Sequence, residues 1–298
     1  MINIQPIAVT AANLTSDVAI TETEWTAGTY ATGVRRYVGI DLYEVTADPS
    51  TSDEPTVGAA KDPATWVLVG QINRHRMFNN VLSQPTVQSA APITVAITTT
   101  QLVNSVAFFG MDAAEVNVTV TDDTDGEVYN RTISLVQPVS ADFYEWFFSP
   151  IFRSPEAVFL DLPAYSGATI GATISGTAGA DVEVGEMAIG TQRSIGDTKL
   201  NYTTGYRDFS RRERNEFGDF LPVVARPVAR VGSFEVFMPK TSVPAVVRLL
   251  SDLRAAPTVF VGGEDDPDTI FFGFSDEPQI LRVGPGHSVL SLEILGLT

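Results

Sequence analysis

The stretch Val116-Asn-Val-Thr-Val120, followed by Asp122-Asp-Thr-Asp-Gly126 and by the return run Val128 to Val136, decides the fold. Valines at every second position all project from one face of an extended chain, which is the pattern of a half-buried strand. The aspartate-rich five-residue run ending in glycine carries turn chemistry. In the return run Val128, Ile133 and Leu135 mark the apolar positions. The unit reads as a β-hairpin, and it is not alone. Ile93-Thr-Val-Ala-Ile97, Ser105-Val-Ala-Phe-Phe109, Ala157-Val-Phe-Leu160, Ala168 to Ile174 and Val182 to Ile189 are further short apolar runs separated by turn signals. This spacing predicts an antiparallel β-sandwich, jelly-roll-like, over residues 85–192.

Upstream, residues 25–84 read as a small three-stranded module rich in aromatics. Val34 to Val38 and Asp41 to Val45 flank Gly39 at hairpin spacing, and Trp66-Val-Leu-Val69 supplies a third strand. Asp48 to Pro55 is a polar loop dense in breakers. Residues 1–24 form an N-terminal arm with one short strand (Ile2, Ile4, Ile7, Val9) and a turn at Ala11 to Ser16. Packing on its own domain or docking on a neighbouring subunit are its two uses.

Residues 193–298 read as a C-terminal α+β assembly domain. Strands are expected at Val223 to Arg226 and Val231 to Met238. A helix follows, capped by Thr241 or Ser242, with Pro244 in its first turn and a stripe of Val243, Val246, Leu249, Leu250 and Leu253. It stops before Pro257. Thr258 to Val261, Ile270 to Phe274 and Val289 to Leu295 complete the unit. The fold class is therefore mainly β, with three β-rich units and one clear helix.

Composition narrows the function. The 298 residues contain no cysteine, which excludes disulfides, thiolate chemistry and cysteine-bound zinc. A net charge of −17 opposes general nucleic-acid binding, because phosphate contacts dominate that affinity. No apolar run is long enough to span a bilayer, and neither a secretory signal nor a lipidation pattern is read at the ends. Charged residues make up 18% of the chain, leaving a surface of small and β-branched residues suited to large interfaces.

Catalytic chemistry finds little footing. His75 and His287 fall in different units, no nucleophile elbow is present, and no glycine-rich phosphate loop has standard spacing. Asp142 to Glu145 beside Trp146, Phe147, Phe148 and Phe152 reads as a packed aromatic strand with polar residues facing out, the other reading being carboxylates among aromatics as in a glycosidase. Asp122 to Gly126 and Glu264 to Asp268 each lack the full donor pattern of a calcium loop. The expectation is no enzyme, no cofactor and no metal site. The binding candidates are Trp25, Tyr30, Tyr43 and Trp66, whose faces could stack on sugar rings or could form a miniature core. Arg207, Arg211, Arg212 and Arg214, interleaved with Asp208, Glu213 and Glu216, suit a protein–protein interface.

Two resemblances follow from these residues. Trp25-x-x-Gly28-Thr-Tyr30, Tyr43-Glu44 and Pro63-x-x-Trp66 resemble small three-stranded chitin- or carbohydrate-binding modules, in which tryptophans and tyrosines stack on sugar. Pro6 to Ser16, Trp66-x-x-x-Gly70-x-x-Asn73-Arg-x-x-Met77-Phe78, Asp208-Phe-Ser-Arg-x-Glu213-x-Asn-Glu-Phe-Gly218, Leu253 to Pro257 and Ser291 to Leu297 are similar to segments of tailed-bacteriophage tail proteins. That resemblance implies a structural protein of the tail, baseplate or fibre attachment, made in the host cytoplasm and located in the virion. It implies partners among other tail, baseplate or fibre proteins and a three- or six-fold homo-oligomer. The alternative it leaves is a tail protein that recognises a host cell-surface glycan.

Overall fold

A computed structural model describes residues 1–137, 143–148, 152–214, 216–219, 222–263 and 266–297; the side chains of 145–147 are not described. The carboxylates of Asp142 and Glu145, and the aromatic side chains of Trp146 and Phe147, therefore lie outside the described residues, as do Glu264 and Asp265.

The chain is mainly β. Its largest element is a ten-stranded antiparallel sheet, here the main sheet. Its strands run in the spatial order Ala157–Phe159, Ser105–Phe109, Glu186–Ser194, Ile2–Pro6, Thr258–Val261, Ile270–Arg282, His287–Gly296 and Val228–Pro239. Asp197–Thr198 and Thr203–Asp208 both pair with Val228–Pro239 at the far edge. The strand of the N-terminal arm lies in the middle. Ile2 to Pro6 pair with Glu186–Ser194 on one side and with Thr258–Val261 on the other. Hydrogen-bonded strands thus cross the boundaries at residues 24 and 192 that composition marks.

A second, five-stranded sheet carries the hairpin that opened the sequence reading. Its order is Gly126–Ser134, Glu115–Asp122, Thr169–Ser175, Ile93–Thr98 and Leu14–Ser16. Val116, Val118 and Val120 all point inward and are at most 2% exposed, as their period-two spacing requires. They meet Ile93, Val95, Ile97, Ile170 and Ile174 of their own sheet and Val106, Phe108, Phe159 and Ile189 of the main sheet. The sandwich is real, but one of its two layers is borrowed from the main sheet.

Further along the same face of the main sheet, the helix Val243–Leu253 takes over as the cover. Val246, Leu249, Leu250 and Leu253 pack on Phe234, Val236, Phe260, Phe271 and Leu292. Ser242 does not cap this helix with its hydroxyl. Its backbone is already helical (φ −83°, ψ −18°), continuing a 3-10 turn at Lys240–Ser242. A side-chain cap needs an extended backbone at that position. The strand expected at Val223 to Arg226 reduces to a single bridge between Val224 and Arg211.

The opposite face is concave. Ile4, Ala107, Phe109, Ala188, Val259, Val261 and Phe272 gather there into one cluster drawn from strands on both sides of Ile2–Pro6. Two glycines permit the curl. A Cβ on Gly190 would stand 2.0 Å from the carbonyl oxygen of Gln5, and one on Gly273 would stand 2.0 Å from that of Leu295. Near the rim, Arg230 and Glu156 form an ion pair between the two ends of the strand order. Partial burial lifts the Glu156 carboxyl above its ordinary pKa against the opposing pull of Arg230.

Candidate functional site

The aromatic module is built on a three-stranded sheet of Arg35–Val38, Asp41–Val45 and Trp66–Gln71. Gly39 turns its first hairpin at φ +66°, a conformation open to glycine at little cost. Trp66 is fully buried. Its indole N–H donates to the carbonyl of Asp53 at 3.0 Å, and its ring meets Tyr30 edge-on at 5.8 Å. Tyr43 is buried beside it. Tyr30 is half-buried; its hydroxyl donates to the Thr26 carbonyl at 2.7 Å, and the Arg36 guanidinium lies 5.0 Å from its ring centre. Trp25 is half-buried against the same cluster. The structure therefore brings all four candidate sugar-stacking residues together around one small core. Tyr43 and Trp66 have no open face; Trp25 and Tyr30 keep part of theirs. A module this small needs those rings inside to hold together.

A site that sequence reasoning missed joins this module to the sandwich. It is the short 3-10 helix Asn73–Phe78, part of the stretch that carried the phage-tail resemblance. Asn73 is buried, and its amide clamps Val87, donating to the carbonyl at 2.8 Å and accepting from the N–H at 3.0 Å. Thr86 is bound by the same turn, its hydroxyl donating to the Asn73 carbonyl at 2.7 Å and accepting from the Met77 N–H at 2.9 Å. Arg76 and the Asn73 N–H both reach one oxygen of Glu22, at 2.6 and 3.1 Å. Arg74 donates to the Val18 carbonyl, and Met77 enters the sandwich core. Asn73, Arg74, Arg76 and Met77 thus tie this turn to the arm or to the body. His75 is buried in the same turn. Burial, aided by Arg74 and opposed by Asp41, lowers its pKa, so the ring is neutral at pH 7.

The four arginines lie on one exposed segment. Arg207 stands on the edge strand Thr203–Asp208, and Arg211, Arg212 and Arg214 follow it. Arg211 pairs with Glu213 at 2.5 Å, and Arg212 pairs with Asp208. Around them the segment exposes large apolar side chains: Leu200 is 95% exposed, Tyr206 76%, Val223 56%, Val224 54% and Val228 49%.

Other candidates resolve into turn chemistry. One Asp122 carboxylate oxygen accepts the N–H groups of Thr124 and Asp125, closing the hairpin turn at Gly126. His287 is exposed and stacks on Phe237 at 4.8 Å. Among the described residues, no group of three histidine or acidic side chains is placed to hold a metal ion.

No protein-family model matches the chain. No curated protein matches it either. Among solved structures, the chain is similar to a mutant of chitosan-binding module 1 from a chitosanase/glucanase of Paenibacillus sp. IK-5, at 11% identity over 40% of this chain and 84% of that one. The TM-score is 0.27, too low for the likeness to carry an argument about fold or ligand.

Proposed function

We propose that this chain is a structural subunit of a tailed-phage virion, in the tail, baseplate or fibre attachment, and that it works by protein–protein assembly rather than by catalysis. The observation that carries the reading is the exposed segment 200–228. Leu200, Tyr206, Val223, Val224 and Val228 are each about half or more exposed, and large exposed apolar groups mark interaction surfaces. The segment also includes an edge strand, Thr203–Asp208, whose first five residues are all exposed. An unblunted edge is a template for pairing with another chain.

Charge supports the same reading. Residues 200–228 hold five of the 19 basic residues but four of the 36 acidic ones. A near-neutral, arginine-bearing segment on a strongly acidic chain complements the acidic remainder of a neighbouring copy. The phage assignment itself rests on the segment resemblances, and the three- or six-fold symmetry is an expectation from them.

Carbohydrate recognition of a host glycan is the alternative. It draws less support, because Tyr43 and Trp66 are interior and only Trp25 and Tyr30 keep part of a face open. Native mass measurement and electron microscopy of the purified chain, beside a glycan array, separate the two. Rings or stacked oligomers without glycan binding are the expected result. A monomer that binds glycan through Trp25 would overturn the assembly reading.

A further inference from the structure

The first strand residue of Glu186–Ser194 is a carboxylate with little reason to be buried. Glu186 is 3% exposed. One of its oxygens accepts the Asn80 backbone N–H at 2.8 Å. The other takes no hydrogen bond from any described residue, and among the described residues no cation pairs with Glu186. The side chain lines a cavity of about 310 Å³ between the N-terminal arm, the turn after the 3-10 helix and the end of the helix Val243–Leu253. Its walls are mixed: Ile7, Phe78, Met187, Leu253 and Pro257 supply apolar surface, and Gln5, Asn80 and Thr258 supply polar groups. Asp252 is the other titratable lining residue, and no lysine, arginine or histidine lines the cavity.

We propose that this cavity binds a primary ammonium or guanidinium group carried on an apolar stem. The carboxylate of Glu186 supplies the counter-charge and the apolar part of the walls takes the stem. An unpaired buried carboxylate is costly, and a cation that satisfies its open oxygen relieves that cost. A metal ion fits poorly, because among the described residues no group of three histidine or acidic side chains gathers to hold one. Asp252 is secondary. It also lines an adjoining groove together with Arg193 and Arg248.

Proton linkage gives the site a signature. Burial pushes the Glu186 carboxyl up to about 8, the Asn80 N–H only partly opposing this. A cation binding below that pH must displace a proton, so affinity weakens roughly tenfold per pH unit below 8 and levels off above it.

The test is a titration of the full chain with n-butylammonium, and separately with agmatine, at pH 8.5 and 6.0. It is followed by calorimetry and by the NMR shift of the Glu186 side-chain carboxyl. Saturable one-site binding is expected at pH 8.5, weaker by about 100-fold at pH 6.0 and lost in Glu186→Gln, with the carboxyl pKa falling on saturation. Self-association that excess n-butylammonium or Glu186→Gln abolishes would identify the cation as a side chain of a second copy. Unchanged self-association would identify a free amine. Absence of saturable binding to the folded chain at pH 8.5, or equal binding to Glu186→Gln, would overturn the proposal.

Discussion

The rings of Phe109 and Phe272 stack 5.3 Å apart at an angle of 21°, although three strands stand between theirs in the main sheet. In a flat sheet the two strands would lie about 19 Å apart, four interstrand steps of roughly 4.8 Å each. The stack exists because the sheet curls, and it lies on the concave side of that curl. Phe109→Ala and Phe272→Ala should each destabilise the chain by about 3–5 kcal/mol. The double variant should cost less than the sum, because the two rings share one contact. Urea unfolding of the four proteins checks this, and additive costs would show that the rings do not couple.

The 3-10 helix at Asn73–Phe78 should behave as the joint between module and body. Asn73→Ala removes both bonds to the Val87 backbone and leaves two part-buried backbone groups without them. A loss of about 2–4 kcal/mol is expected. Hydrogen exchange should then rise first at residues 86–88, which depend on that clamp, while the exchange of Val116–Val120 in the sandwich stays slow.

The aromatic module separates by burial. Trp66→Ala should cost about 3–5 kcal/mol and unfold residues 25–71 locally, since it removes the ring at the centre of the small core. Trp25→Ala, at the edge of that core, should cost about 1–2 kcal/mol. Thermal unfolding monitored by tryptophan fluorescence distinguishes them. If chito-oligosaccharides protected the module through Trp66, that ring would have to be reachable from solvent, contrary to its full burial.

Glu186 gives the chain an unusual pH dependence. Its folded pKa of about 8 lies above the ordinary 4.5, so between those values the folded state holds a proton that the unfolded state has released. Stability therefore falls as pH rises through this window, the reverse of a salt-bridged carboxylate. The loss is complete above pH 8 and amounts to several kcal/mol. Glu186→Gln, which mimics the protonated acid, should match the natural chain at pH 4.5 and exceed it in melting temperature at pH 9. Melting curves that differ by the same amount at both pH values would show that this carboxyl does not titrate in the window.

Much of this architecture was legible in the sequence because local patterns impose it. Val116, Val118 and Val120 announce their inward face by spacing alone, Gly39 marks its hairpin, and Val246, Leu249, Leu250 and Leu253 draw the helix stripe. What spacing could not show was which strands pair. Ile2–Pro6 is an ordinary short strand by sequence, yet it binds partners roughly 190 and 255 residues away, because only the curled sheet brings those edges together. The same limit hid Glu186. A glutamate at the head of an apolar strand reads as solvent-facing, and its burial follows from the arm and helix that close over it. Trp66 was ambiguous for another reason: a ring that stacks on sugar and a ring that fills a small core occupy the same sequence pattern, and exposure alone tells them apart.

The central claim is that residues 200–228 hold copies of this chain to their neighbours. Sedimentation velocity across a range of concentrations, on the natural chain and on Tyr206→Asp combined with Val224→Asp, tests it most directly. Both positions are exposed, so the double variant should fold with an unchanged melting temperature. The account predicts a discrete oligomer for the natural chain and a monomer for the variant at equal concentration. A natural chain that stays monomeric throughout, or a variant that assembles as well as its parent, would contradict it.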